Sequence, residues 1–214
     1  MKLLLCRHGH VEGISPPRFR GRREQPLTEL GEWQAQALGA RIAAEWKPAR
    51  IYTSPMGRSI ATGAAIAAAT GAPAEVSDRF NDFDYGAWSW KALAEVERAD
   101  PVNFRRWFAS PHLFRIPGGD SLQDVIARTA DGLRHILDAH PDETIVVVAH
   151  DSANRALLLQ LADMPLSAYW SIRQDPACLN EIDIDTDGVR IGRINETAFL
   201  APPASSRKNG DGRP

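Results

Sequence analysis

Arg7-His8-Gly9 follows directly on the apolar run Leu3-Leu4-Leu5-Cys6, and a second apolar run, Ile145-Val146-Val147-Val148-Ala149, leads straight into His150. A neutral imidazole nitrogen can attack phosphorus without first losing a proton. The arginine before His8 offers a planar fork matched to phosphate oxygens, and Gly9 lets the backbone approach a ligand closely. An isolated Arg-His-Gly is commonly a turn with a solvated histidine, so the signal lies in the pair. Short buried runs of this kind read as parallel strands, and α/β sheets place their chemistry where such strands end. Two adjacent parallel strands would bring both histidines to one edge. Arg58 falls in the first turn of a helix that follows the short strand Ile51-Tyr52-Thr53, where free backbone N–H groups also attract an anion.

Other chemistries fit less well. A cysteine-based phosphate loop needs an arginine six positions after its cysteine, and that position after Cys6 is Glu12. Cys6 and Cys178 both sit in apolar runs and read as buried, reduced thiols. His8-x-His10 with His150-Asp151 has the donor types of a zinc or dinuclear hydrolase. That arrangement belongs to a (β/α)₈ barrel, for which the chain has too few strand–helix repeats, and Arg7 and Arg58 would repel the cation. No metal is expected. Dinucleotide and Walker-type glycine patterns are absent, so no nucleotide cofactor is expected either.

The elements that must position these residues alternate between strand and helix patterns, which predicts an α/β layered sheet. With 214 residues, 43% hydrophobic and 24% charged, one domain with a full core is expected over residues 1–200. A first strand covers about residues 2–6, and a Gly/Pro/Arg-rich loop runs from Gly9 to Pro26. Thr28 can cap a helix carrying Leu30, Gln34, Leu38, Ile42 and Trp46 at helical spacing. Ser54-Pro55 reads as the start of the next helix. Residues 78–118, with Trp88, Trp90, Phe104, Trp107, Phe108 and Phe114, are expected to form a partly helical cap over the pocket. Asp120 or Ser121 caps a further helix. Strands near 179–184 and 189–194 flank Asp187-Gly188 as an antiparallel hairpin. The Pro/Ser/Gly/Lys-rich tail 201–214 has the composition of a disordered segment. A net charge of −2 gives no reason to expect nucleic acid or an anionic membrane as partner. The start of the chain is not a secretory signal and no stretch spans a bilayer, so a cytoplasmic location is expected. The sequence defines no oligomeric state.

Five motifs in order resemble the histidine phosphatase superfamily, branch 1, whose members include the cofactor-dependent phosphoglycerate mutases. They are Leu5-Cys6-Arg7-His8-Gly9, Pro26-Leu27-Thr28-Glu29-Leu30-Gly31, Tyr52-Thr53-Ser54-Pro55 with Arg58 and Thr62, Pro117-Gly118-Gly119-Asp120-Ser121, and Val147-Val148-Ala149-His150-Asp151. The resemblance implies a three-layer αβα sandwich, phosphoglycerate mutase-like, around a mostly parallel mixed sheet with an antiparallel C-terminal strand. It also implies a nucleophilic His8 that forms a phosphohistidine, with Arg7, Arg58 and His150 as the phosphate pocket.

The family's general acid is a glutamate preceding a Gly-x-Trp, and here Asp82 aligns with it, one methylene shorter, with Asp84 as the lesser substitute. The first loop departs from the family: His10 and Val11 follow the Arg-His-Gly, and Ile14 stands where an asparagine usually contacts phosphate. Arg20 and Gly21 occupy a place where the family contacts substrate, so Arg20 is expected to face the pocket together with Asp151, while Arg18, Arg22 and Arg23 stay mostly solvated. Trp88, Trp90 and Trp107 offer surfaces for a flat or apolar leaving group. The compact chain favours metal-independent hydrolysis of a phosphorylated small molecule over a mutase-type phosphoryl transfer. A metal-dependent hydrolase and a non-catalytic phosphate-binding module are weaker alternatives.

Overall fold

The structure is a computed structural model that describes residues 1–200; the tail expected to be disordered lies outside the described residues. Six strands form one sheet: β1 (Lys2–Arg7), β2 (Arg50–Thr53), β3 (Ala74–Val76), β4 (Thr144–Ala149), β5 (Leu179–Asp185) and β6 (Gly188–Glu196). Their order is β3-β2-β4-β1-β5-β6. The first four are parallel and the last two antiparallel. The expected hairpin is β5–β6. The helices are α1 (Glu29–Glu45), α2 (Gly57–Thr70), α3 (Leu93–Ala99), α4 (Pro101–Ala109), α5 (Leu122–Ala139) and α6 (Asp151–Leu161). Among the described residues no helix is long and apolar enough to cross a membrane.

Period-two alternation sorts the strand side chains between two apolar layers. Leu4, Cys6, Ile51, Val146 and Val148 pack with Leu38 and Ile42 of α1 and Ile66 of α2. Leu3, Leu5, Tyr52, Ile145 and Val147 pack with Val125 and Ile136 of α5 and Leu157 of α6. β1 and β4 are buried on both faces, which explains their unbroken apolar sequences. Burial pushes both thiols up, that of Cys178 to about 12, so neither is a ready nucleophile.

Three local expectations need correction. The buried stripe of α1 is Gly31, Ala35, Leu38, Gly39 and Ile42, while Leu30 is 49% exposed. The small residues turn inward because α1 lies close on its neighbours: a Cβ at Gly39 would stand 2.8 Å from Ala65 O of α2, and one at Gly31 would collide with the His10 carbonyl. Gly9 is required for the same crossing, since its Cβ would strike Gly31 O. That glycine therefore serves backbone packing, not only the approach of a ligand. Finally, α2 begins at Gly57 with Met56 in the cap position, which has no side-chain acceptor to offer, while Ser54 bonds the Met56 N–H and His150.

Ser121 is the cap of α5, in a reciprocal capping box with Asp124, whose carboxyl its backbone and hydroxyl hydrogen bonds hold down at about 2. Ser121→Ala is expected to cost about 1 kcal/mol, a fall of roughly 2–4 °C in thermal unfolding. An unchanged midpoint would show that the box contributes nothing.

Residues 78–118 form short 3-10 turns, α3 and α4, held by aromatic packing. Trp107 is fully buried among Phe83, Tyr85, Tyr169 and Trp170. Trp88 packs on Phe19 and Phe114. Trp90 carries the guanidiniums of Arg18 and Arg23 over its ring.

Candidate active site

The register of β1 on β4 pairs Arg7 with Ala149, so the two strand-end histidines emerge side by side. Their ring centroids are 5.2 Å apart. Arg7, His8, Arg58, Asp82 and His150 are all buried.

Each ring is fixed by a hydrogen-bond chain that also sets its tautomer. His8 Nδ1–H donates to the Gly9 carbonyl at 2.7 Å, which leaves the Nε2 lone pair to accept from Arg58 Nε–H at 3.2 Å. The Gly9 N–H donates to Thr62 Oγ1, and the Thr62 hydroxyl to the Arg58 carbonyl, so one helical turn of α2 clamps this loop. Across the pocket, Ser54 Oγ accepts from Met56 N–H at 3.2 Å and shares a hydrogen bond of 2.6 Å with His150 Nε2. With the Ser54 hydrogen assigned to that bond, the His150 proton sits on Nδ1. That atom is buried and lies 3.4 Å from Asp82 Oδ2 without a hydrogen bond. Arg7 donates from Nη1 to the Gln174 carbonyl at 2.6 Å, while its buried Nε has no partner among the described residues. Two buried donors without acceptors, on converging side chains, suit an oxyanion.

Arg58 is the hub. It donates to the Gly21 and Arg23 carbonyls and pairs with Asp82 Oδ2 at 2.8 Å, besides its contact with His8. Asp82 Oδ1 accepts from Ser152 Oγ at 2.5 Å and from Phe83 N–H at 2.8 Å. Asp84 is turned away, accepting from Gly86 N–H and facing Arg22. Gly21 takes a φ of +49°, and a Cβ there would stand 2.5 Å from Phe83 O, so glycine is needed where the arginine loop passes under residue 83.

Asp151 is the first residue of α6. Burial alone would raise its carboxyl, but the guanidiniums of Arg7, Arg155 and Arg20 hold it well below the ordinary range. Arg20 lines the cavity as expected. Arg18 corrects the expectation that it is solvated: it is half-buried, lines the same cavity and donates to Trp90 O at 2.8 Å. Arg22 is exposed but not idle, with bonds to Asp82 O and Asp120 Oδ2. His10 turns to Thr28 Oγ1, so the His8-x-His10 pair does not converge. Among the described residues no group of three or more His, Cys, Asp or Glu is placed to hold a metal ion. Ile14, at the asparagine position, adds an apolar wall.

Burial, reinforced by Arg58 and Arg7, pushes both imidazoles well below the usual histidine range. Unfolded, each protonates near pH 6.5, so below that pH the unfolded chain binds more protons. The stability tied to their neutrality is complete above about pH 6.5 and is lost as pH falls, by up to about 1.4 kcal/mol per unit for each ring. Denaturant titrations between about pH 7 and about pH 5 should therefore show a shallower loss for His150→Gln than for wild type. Parallel losses would mean that His150 protonates as easily folded as unfolded.

Sequence reasoning missed Ser54 as the partner of His150, Ser152 on Asp82 and Gln174 under Arg7. Ser54 had a usable signal, since it ends β2 at the same sheet edge as the histidines. Ser152 lies in the first turn after His150. Nothing in the local sequence around Gln174 points to Arg7.

A sheet of this order, with two histidines and two arginines at its carboxyl edge, defines the phosphoglycerate mutase-like class of α/β fold. The model of the histidine phosphatase superfamily (branch 1) matches residues 3–197, and the chain belongs to that superfamily. It is 33% identical over 200 residues to phosphoserine phosphatase 1 of Hydrogenobacter thermophilus, covering 94% of each chain. It is 31% identical over 166 residues to the metal-independent phosphoserine phosphatase of Arabidopsis thaliana, covering 75% of this chain and 68% of that one. Among solved structures, Bacillus stearothermophilus YhfR superposes with a TM-score of 0.87 at 28% identity, covering 94% of this chain and 99% of that one. The protein is a phosphatase of this superfamily.

Proposed function

We propose that this phosphatase hydrolyses phosphomonoesters without a metal, through a phosphohistidine on His8. The observation that carries the reading is the neutral, buried His8, its Nε2 lone pair directed at Arg58 and flanked by the unpartnered Arg7 Nε and His150 Nδ1. In the first step the phosphate draws Arg58 Nε–H away from His8 Nε2, and the freed lone pair attacks phosphorus while the bond to the ester oxygen breaks. Arg7, Arg58 and His150 Nδ1–H stabilise the charge on the other three oxygens. The phosphate competes with Asp82 for Arg58, and the proton of the monoprotonated ester passes to the carboxyl so released. Asp82 then gives its proton to the departing alkoxide. In the second step it takes a proton from water, which attacks phosphorus, breaks the P–N bond and returns His8 neutral.

Hydrolysis of p-nitrophenyl phosphate in excess EDTA tests the reading. Turnover that is indifferent to the chelator is expected. Activity that disappears with EDTA and returns with a divalent ion would overturn metal independence. The names of the relatives make small phosphorylated metabolites, phosphoserine first, the substrates to assay beside it.

A further inference from the structure

We infer that Trp90 is a positioning residue of the phosphate pocket: its ring holds the loop whose carbonyls fix Arg58. The inference rests on the reading of Arg58 as a ligand of the transferred phosphate. Trp90 takes a φ of +65°, a left-handed conformation that glycine adopts freely and a bulky residue rarely does. Such strain persists only where the surroundings over-determine it, and it collects at working sites.

The surroundings here are the loop of residues 13–23. Trp90 N–H donates to Phe19 O at 2.7 Å, Phe19 N–H to Lys91 O at 3.0 Å and Arg18 Nη1 to Trp90 O at 2.8 Å. The loop is thereby laid along residues 90–92, with Arg18 opposite Ala92. The indole lies against Gly13, where a Cβ would stand 3.2 Å from Cζ3. The guanidiniums of Arg18 and Arg23 sit 5.3 Å and 4.8 Å from the ring centroid, within cation–π range. One side chain thus touches the start, the middle and the end of the loop.

The loop delivers two acceptors. Arg23 N–H closes a turn on Arg20 O at 3.1 Å. The Gly21 and Arg23 carbonyls then take Arg58 Nη2 at 2.6 Å and Nη1 at 2.9 Å. A guanidinium is planar and rigid, so pinning both Nη atoms aims the Nε–H, which meets His8 Nε2 at 3.2 Å. Residues 22–24 are exposed, and three side chains tie them down: Arg22 to Asp82 O, Glu24 to Gly57 N–H and Arg23 to Trp90. Of these three, only the tie to Trp90 also engages the far end of the loop. The cavity wall is formed by Arg20, Asp82 and Trp107 among others and not by Trp90, so the effect of Trp90 runs through Arg58.

A double-mutant cycle tests this. Trp90→Gly removes the ring and relieves the backbone, and it is expected to lower kcat/KM for p-nitrophenyl phosphate roughly 3–30-fold, the worth of two cation–π contacts. Trp90→Phe, which keeps a ring face, should recover most of that loss. In an Arg58→Lys background the charge stays but the fork is gone, and there Trp90→Gly should cost no more than about twofold. Thermal unfolding of each variant reports whether the fold is intact. If Trp90→Gly does not fold, Arg23→Met, at an exposed side chain, carries the same cycle with a loss of roughly 2–5-fold, the worth of one such contact. An equal loss in both backgrounds, or none in either, would overturn the inference and leave the phosphatase reading intact. Arg58→Lys as active as wild type would remove the reading of Arg58 as a phosphate ligand, and the inference with it.

Discussion

His8→Ala is expected to lower kcat/KM by at least about four orders of magnitude, as removal of a covalent nucleophile does. No neighbouring group can substitute. His150 has its Nε2 lone pair occupied by the Ser54 hydroxyl and presents an N–H, not a lone pair, to the pocket. Both cysteines face the core, with their thiols pushed up by burial. The truncation leaves Arg58 with its bonds to Gly21, Arg23 and Asp82, so the phosphate pocket should survive and still bind inorganic phosphate. Phosphate-induced stabilisation of the variant against heat, measured beside its kinetics, separates lost chemistry from lost folding. Residual activity within tenfold of wild type would mean that water, not His8, attacks the ester.

Asp82→Asn is expected to lower kcat/KM about 10²–10⁴-fold for an alkyl phosphate, the usual worth of a positioned acid. The loss for p-nitrophenyl phosphate should be much smaller, because p-nitrophenolate leaves without a proton. The asparagine oxygen can still accept from Ser152 and Phe83, but its NH2 replaces the oxygen paired with Arg58, so thermal unfolding of the variant is measured beside its kinetics. Equal losses for both leaving groups would contradict the acid role and reduce Asp82 to a counter-ion of Arg58. Ser152 bears on the same step. With its 2.5 Å bond to Oδ1 it fixes the orientation in which the shorter aspartate must work.

The sheet was legible because β1 and β4 are buried on both faces, so their sequences are unbroken apolar runs. The histidines follow from those runs, and the parallel pairing of β1 with β4 makes them neighbours. What local patterns misjudged depended on distant partners. Leu30 fits a helical stripe, yet the buried face is that of Gly31, Ala35 and Gly39, where Gly31 allows α1 to approach the His10 loop and Gly39 to approach α2. Ser54-Pro55 has the form of a helix cap, but the hydroxyl serves a histidine 96 positions away. Arg18 sits in a run of arginines that reads as solvated charge, and only the return of the chain through Trp90 draws it inward. Gln174 supports Arg7 from 167 positions away through a backbone carbonyl, to which side-chain identity gives no clue.

The most direct test of the central claim is to trap the enzyme during turnover of p-nitrophenyl phosphate, quench it in alkali and map phosphate by mass spectrometry. Phosphohistidine withstands base and is lost in acid. The account predicts an acid-labile phosphate on His8, absent from His8→Ala and accumulating in Asp82→Asn, where the base for the second step is missing. A chain free of phosphate in both wild type and Asp82→Asn during turnover, or one labelled at another residue, would contradict it.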